Sequence, residues 1–535
     1  MPAHAPTRRQ CIVASAALAS GLGASPGAMG QAVAGPVIET PSGRVRGLQG
    51  DGVLIFKGLR YGESTAGENR FRSPRPVRPW SGILDATAFG PKAPQPVSFG
   101  APMTGAENAR GQSEDCLRLN IWTPAAGGRR RPVMVWLHGG GFSNGAGDAP
   151  EFDGSHLARN HEVVVVTLNH RLGALGFLYL DQLSGGALRT GNLGLLDVAA
   201  ALAWVRDHVE AFGGDPHRVT LFGESGGGRK VATFSAMPAG AGLYHRLIIQ
   251  SGPATRQLTP ARASAYASEF LKALGVGPDL AALQAAPLER IIAAQVAVQP
   301  PPDMPVDNVI KGFAPVVDGV SLLHDAYAPT APAVSADVPM LIGCNRWEQS
   351  AMDRDPPIWD RTLTPAGLEA RLRRILGQRT SAAIELYRRD YPRLSPAELF
   401  LRIDTDRSYW INTVRIAERR AAAHRASTFM YRLDWETPVQ GGRLRTPHGL
   451  DVPLVFDTVE ARRDFEGPGP APLEVARRMS AAWAAFARKG APEDPSIPAW
   501  RPYAPADRAT MLIDSDWRLA RDPDAAERLL LAQAV

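Results

Sequence analysis

Four groups of residues in this chain have the types and spacing to do chemistry together. The first is "LFGESGGGRKVATFSAMP", residues 221–238, where Ser225 lies between Gly223 and Gly227 in a G-x-S-x-G arrangement. Glycines at these places remove side chains that would cover the hydroxyl and let a strand and the following helix approach closely. That suits a nucleophilic serine; the plainer alternative is a serine that caps a helix in a glycine-rich loop. A serine hydroxyl is a weak nucleophile and needs a base, normally a histidine oriented by a carboxylate. Downstream of Ser225 stand His245, His324, His424 and His448. His245 lies just before a strand, His324 in a loop, and His424 at the end of an Ala/Arg-rich helix. His448, in "RTPHGLDVPLVF", sits on a loop after the apolar run "TFMYRLDW" and is the expected base. The chain order serine, acid, histidine puts Glu348 of "PMLIGCNRWEQSAM" just past a strand as the acid, with Asp318 of "VVDGV" as its competitor in a turn-like segment. The fourth group is "WLHGGGF", 136–142, whose Gly139, Gly140 and Gly141 offer backbone N–H groups to a developing oxyanion. Gly226, next to Ser225, would add a further N–H.

Such groups need a scaffold that delivers them to one place. Short apolar, β-branched runs recur at 132–139, 163–170, 218–225, 246–252, 339–345 and 428–435. Near-continuous apolar runs read as strands buried on both faces, as in a mostly parallel sheet. "LGLLDVAAALAWVRDHVEAF", 193–212, has helical spacing and bridges two of these strands as a crossover should, with "GGDP" stopping it. Segments 43–62 read as an antiparallel hairpin at one edge. The Pro-rich region 297–340 and the helical stretch 360–427 interrupt the alternation and read as insertions that supply a lid and pocket walls. "MSAAWAAFARKG" is a late amphipathic helix and "ATMLIDSDW" a late strand.

The 535 residues are 44% hydrophobic and 21% charged, which excludes a disordered or fibrous chain. The net charge of +6 is modest, and "GGRRRP" is the one dense basic run, so nucleic-acid binding is not expected. Cys11, Cys116 and Cys344 form neither a disulfide framework nor a zinc spacing. No metal and no dinucleotide cofactor is expected. At the N-terminus, Arg8-Arg9 precede a weakly apolar, Ala-rich run, with small-residue cleavage sites at "AMG" (28–30) and "AVA" (32–34). Residues 1–34 therefore read as a twin-arginine-like export leader cleaved near 30–34, with residues 35–535 as one domain of a periplasmic or secreted protein. Stable membrane insertion of the mature chain is not expected. Monomer and homo-oligomer stay equally open.

Longer motifs run nearly end to end, from about 36 to 520: "FKGLRYG" (56–62), "RFRSPRPVRPW" (70–80), "SEDCLRLNIWTP" (113–124), "HGGGF", "NHRLGALGF" (169–177), "GNLGLLD" (191–197), "AFGGDPHRVTLFGESGGG" (211–228), "QSG", "GCNRWE" and "PHGLDVPLVF". In these the chain resembles the type-B carboxylesterase (carboxylesterase/cholinesterase) family of α/β-hydrolases. The resemblance implies an α/β-hydrolase fold, with a mostly parallel central sheet flanked by helices and large insertions. It implies a serine ester hydrolase that works through an acyl-enzyme on a small-molecule ester, with a Ser225–His448–Glu348 triad. It also implies an oxyanion hole from the N–H groups of Gly140, Gly141 and Gly226. Amide or thioester hydrolysis on the same site, or a non-catalytic binding role on the same fold, are the alternatives.

The chain departs from the family pattern at several places. Gly226 stands where alanine is usual, and Trp347 where an acid is common. Cys116 has no upstream partner once the leader is gone, so it is expected to be free. Arg229 and Lys230 occupy the first turn after Ser225, where a cation opposes the helix dipole. Both are expected to reach an acidic partner that braces the helix, while Arg229 bordering the pocket is the sharper alternative.

Overall fold

A computed structural model describes residues 33–96, 111–298 and 312–532. Among them the strands are β1 (Val33–Thr40), β2 (Gly43–Gly50), β3 (Val53–Arg60), β4 (Ile83–Asp85), β5 (Arg118–Thr123), β6 (Arg131–Leu137) and β7 (Val164–Leu168). They continue with β8 (Gly214–Glu224), β9 (Arg246–Gln250), β10 (Met340–Asn345), β11 (Thr428–Leu433), β12 (Thr510–Ile513) and β13 (Arg518–Ala520). All join one sheet in the order β1-β2-β3-β5-β7-β6-β8-β9-β10-β11-β12-β13, with β4 beside β2. From β7 to β12 every neighbouring pair is parallel. The flanks, β1-β2-β3-β5-β7 and β12-β13, are antiparallel.

The apolar runs become central strands because both of their faces are covered. In β6, Val133, Val135 and Leu137 join the core on one side of the sheet, while Met134 and Trp136 join the core on the other. A strand wetted on one face would alternate with polar residues; this one has none to spare. The crossover helix Leu193–His208 lies on the first side, and the late helix Ala471–Lys489 packs Met479, Trp483 and Phe486 on the second. β5 was not legible as a strand, because its short run "RLNIWT" carries the buried Asn120. Inside the sheet that amide accepts from Gly58 N–H at 2.9 Å and donates to the Thr167 hydroxyl at 2.9 Å.

The expected helical insertion is present as helices Pro365–Leu376, Thr380–Asp390, Pro396–Thr405 and Ile411–Ala422, with an apolar core of their own. The expected leader lies outside the described residues except for Val33 and Ala34. These two already belong to β1, which therefore begins ahead of the expected domain start at 35. Much of the Pro-rich segment also lies outside them. No helix among the described residues is long and apolar enough to cross a membrane.

One buried ion pair ties the loop after β7 to the crossover helix. Arg171 Nε and Nη2 donate to Asp197 Oδ2 and Oδ1 at 2.8 and 2.6 Å, and the Arg171 backbone N–H reaches Oδ2 at 3.0 Å. Neither side chain meets solvent. Asp197→Ala strands that guanidinium in the core and should destabilise the protein by about 3–5 kcal/mol. A smaller loss is expected for the double replacement Arg171→Met with Asp197→Leu, which removes both charges. Equal unfolding midpoints for wild type and Asp197→Ala in urea would contradict this.

Candidate active site

The parallel run of strands decides where the chemistry-bearing residues go. Parallel strands present their C-terminal ends at one edge, and loops from those ends share one crevice. Gly139–Gly141 follow β6, Ser225 follows β8, Glu348 follows β10, and His448 lies on the loop beyond β11. Ser225 sits in the turn between β8 and the helix Gly226–Phe234, with φ 56° and ψ −121°. A non-glycine residue held there is strained and persists only where its surroundings fix it. Its N–H donates to the Gln250 carbonyl of β9 at 2.9 Å. Glycine is required around it by close approach of backbone: a Cβ on Gly227 would overlap the Leu137 carbonyl, and one on Gly226 would overlap the backbone of Gly141.

Glu348 opens a 3-10 turn and is fully buried. Its Oε1 accepts the Asn345 backbone N–H at 2.8 Å, and its Oε2 faces His448 Nδ1 at 2.5 Å. A carboxylate oxygen accepts, so Nδ1 carries the proton and Nε2 is left for other work. Nε2 has no hydrogen-bond partner among the described residues, the Ser225 hydroxyl included. It lies 3.3 Å from Oε1 of Glu224, which also lacks a partner. Burial by itself pushes the imidazole down, but the carboxylates of Glu224 and Glu348 outweigh it and hold its pKa up at about 9. Burial pushes the Glu224 carboxyl up and His448 draws it back; with Asp451 and Glu348 adding to the rise, it stands at about 8.

The loop itself is held by a buried network. Asn345 Nδ2 donates to the Pro447 carbonyl at 2.7 Å, just ahead of His448. Gln250 Nε2 donates to Asp451 Oδ2 at 2.8 Å, and Trp483 Nε1 donates to Gln250 Oε1 at 3.0 Å. Gln250 thus links the turn at Ser225 to the loop carrying His448. The ring of Tyr409 stands 5.4 Å from that of His448, on a π-turn (Asp406–Trp410) between two helices of the insertion. Such turns widen a helix locally and recur at functional sites.

Gly140 and Gly141 take positive φ values, 81° and 62°. The Gly140 carbonyl accepts from Asn144 N–H at 3.2 Å, which closes the loop into a turn. A cavity of about 320 Å³ opens here, bordered by Gly139, Gly140, Glu224, His448 and Gly449. That is the size of a small-molecule pocket. Among the described residues no three His, Cys, Asp or Glu side chains form a metal-binding group.

At this edge of the sheet Glu348 meets His448, Gly139 lies against Ser225, and Gly226 lies against Gly141. Asp318 is engaged elsewhere: its carboxylate accepts N–H groups of Val320, Ser321 and Leu322 and braces its own loop. His245 accepts from Val219 N–H at 3.2 Å, a structural contact. Cys116 and Cys344 are free and buried. The bracing expected of Arg229 and Lys230 is absent. Arg229 is half-buried and forms no ion pair with any described residue. Lys230 is fully buried, and its amino group donates to the His138 carbonyl at 2.9 Å instead of an acid. The helix enters so close to β6 that a backbone carbonyl is what Lys230 meets. Sequence reasoning passed over Glu224, Tyr409 and Asp451. Glu224 carried a signal, since the residue beside Ser225 must share its crevice; the other two carried none.

A profile of the Carboxylesterase family matches residues 34–529. The chain is 34% identical over 500 residues to the para-nitrobenzyl esterase of Bacillus subtilis, covering 92% of this chain and 97% of the relative. It is 34% identical over 480 residues to the fumonisin B1 esterase of Sphingopyxis macrogoltabida, covering 87% and 84%. The crystal structure of a carboxylesterase of Geobacillus stearothermophilus superposes with a TM-score of 0.81 at 35% identity, over 92% of this chain and 99% of that one.

Glu224 Oε1 lies 3.3 Å from the ring nitrogen of His448 that Glu348 leaves open. Glu224→Gln removes a negative charge within 4 Å of Nε2 while keeping the side chain's shape. The imidazole should then titrate lower by about one pH unit or more. Following the His448 ring resonances against pH by NMR tests this; an unmoved titration would show that Glu224 carries no charge beside the imidazolium.

Proposed function

The chain belongs to the carboxylesterase family, and from that premise we propose that it hydrolyses small carboxylic esters through an acyl-enzyme on Ser225. His448 is the base, Glu348 orients it, and the N–H groups of Gly140, Gly141 and Gly226 receive the oxyanion. The observation that carries this reading is the 2.5 Å contact of Glu348 with His448 Nδ1, which leaves Nε2 unpartnered in the crevice of a strained serine. Ser225 Oγ attacks the ester carbonyl as its proton passes to Nε2. The carbonyl oxygen becomes an anion, and stationary N–H dipoles stabilise it without reorganising. Collapse expels the alcohol, which takes the proton from His448. A water then repeats the sequence on the acyl-enzyme and releases the acid. Because the base must be neutral to accept a proton, activity should rise with pH as His448 loses its proton.

We also propose that the enzyme is exported. Of the two sites in the leader, cleavage after "AMG" would leave β1 whole, whereas cleavage after "AVA" would remove Val33, which pairs with Gln49. N-terminal sequencing of exported protein should therefore begin at Gln31. Recovery with Met1 intact, in the cytoplasm alone, would contradict export.

The mechanism is tested by three replacements in the purified enzyme. Ser225→Ala should lower kcat roughly a million-fold with the fold retained, and His448→Ala about as much, since the two act as a unit. Glu348→Gln should cost about ten-thousand-fold. Near-normal turnover by Ser225→Ala would sink the mechanism, and a larger loss in Asp318→Asn than in Glu348→Gln would overturn the choice of acid.

A further inference from the structure

Lys230 is a buried amine with no acid to answer it. It is fully buried in the first turns of the helix behind Ser225, where a cation opposes the helix dipole. Burial drives its amine down to about 7, with no carboxylate acting against that fall. The rings of His138 and His170 are stacked 5.0 Å apart and nearly parallel. Burial, and after it Lys230, hold both imidazoles well below their ordinary value. A lysine is rarely buried without an acid to pair it.

Its one hydrogen bond points to a use. Lys230 Nζ donates to the His138 carbonyl at 2.9 Å, and His138 Nδ1 donates to the Gly139 carbonyl at 2.9 Å. A trans peptide is planar, with its N–H opposite its carbonyl. Holding the carbonyls of His138 and Gly139 therefore aims the N–H groups of Gly139 and Gly140 the other way. Gly139 lies against Ser225: a Cβ built on it would stand 3.5 Å from the serine Cβ.

We propose that Lys230 is a positioning residue of the ester-hydrolysing site. Its amino group clamps the peptide planes of the glycine loop by donating to the His138 carbonyl. This rests on Ser225 as nucleophile and on the glycine N–H groups as oxyanion donors. A structural brace would contribute to stability; an unpaired buried amine does not, so its apolar near-isostere should fold at least as well.

The test compares two inhibitors of one chain length, a trifluoromethyl ketone, which becomes an oxyanion on the serine, and its methyl ketone. Lys230→Met should melt no lower than wild type, lose about ten- to a hundred-fold in kcat with KM within about threefold, and bind the trifluoromethyl ketone at least about tenfold more weakly with the methyl ketone unchanged. A lower melting temperature with equal losses on both inhibitors would make Lys230 a brace and overturn the proposal. Should Lys230→Met not fold, Lys230→Leu is read by the same criteria. Failure of the underlying mechanism looks different: wild type itself would show no preference for the trifluoromethyl ketone, or Ser225→Ala would keep it.

Discussion

The close approach of three backbone segments governs this site. The helix after Ser225 enters so near to β6 that its first residues admit no Cβ: Gly226 abuts Gly141, Gly227 abuts the Leu137 carbonyl, and Gly228 lies against the Gln250 carbonyl. Larger side chains there would push the helix off the sheet and separate the serine from the glycine loop. The same proximity sets the strained dihedral angles of Ser225, since a turn from strand to helix in so little space has few alternatives. The glycines are thus a requirement of distance before they are a matter of flexibility.

Bringing backbone this close buries the ionisable side chains around the serine, and that shapes the electrostatics. Glu224, Glu348 and Asp451 are all buried around one imidazole. Burial pushes the carboxyls of Glu224 and Asp451 up, and His448 draws both back. Hydrogen bonds give the three carboxyls different surroundings. Glu348 accepts from Asn345 on one oxygen and meets Nδ1 with the other, Asp451 is engaged with Gln250 and Tyr431, and Glu224 is left facing Nε2. Lys230, on the helix behind the serine, is a buried amine that burial draws down to about 7 and whose amino group donates to a backbone carbonyl.

Local pattern determined a good deal by itself. The central strands were legible because burial on both faces demands unbroken apolar runs, and the turn at Ser225 because only glycine permits its contacts. The order serine, acid, histidine followed from strand order, and the glycine loop from its place after β6. Other features depend on partners distant in sequence. Asn120 sits in a strand because Gly58 and Thr167 satisfy its amide. Asp318 is taken up by its own loop, where Oδ1 accepts three backbone N–H groups and Oδ2 the Ser321 hydroxyl. The surroundings of His448, from Tyr409 on a π-turn to Asp451 behind it, come from segments with no local signature. Lys230 was expected to find an acid because a buried ammonium needs compensation. Only the tertiary structure decided that a carbonyl of the facing strand end fills that place, since which group meets a buried charge depends on how chain segments far apart in sequence are packed against it.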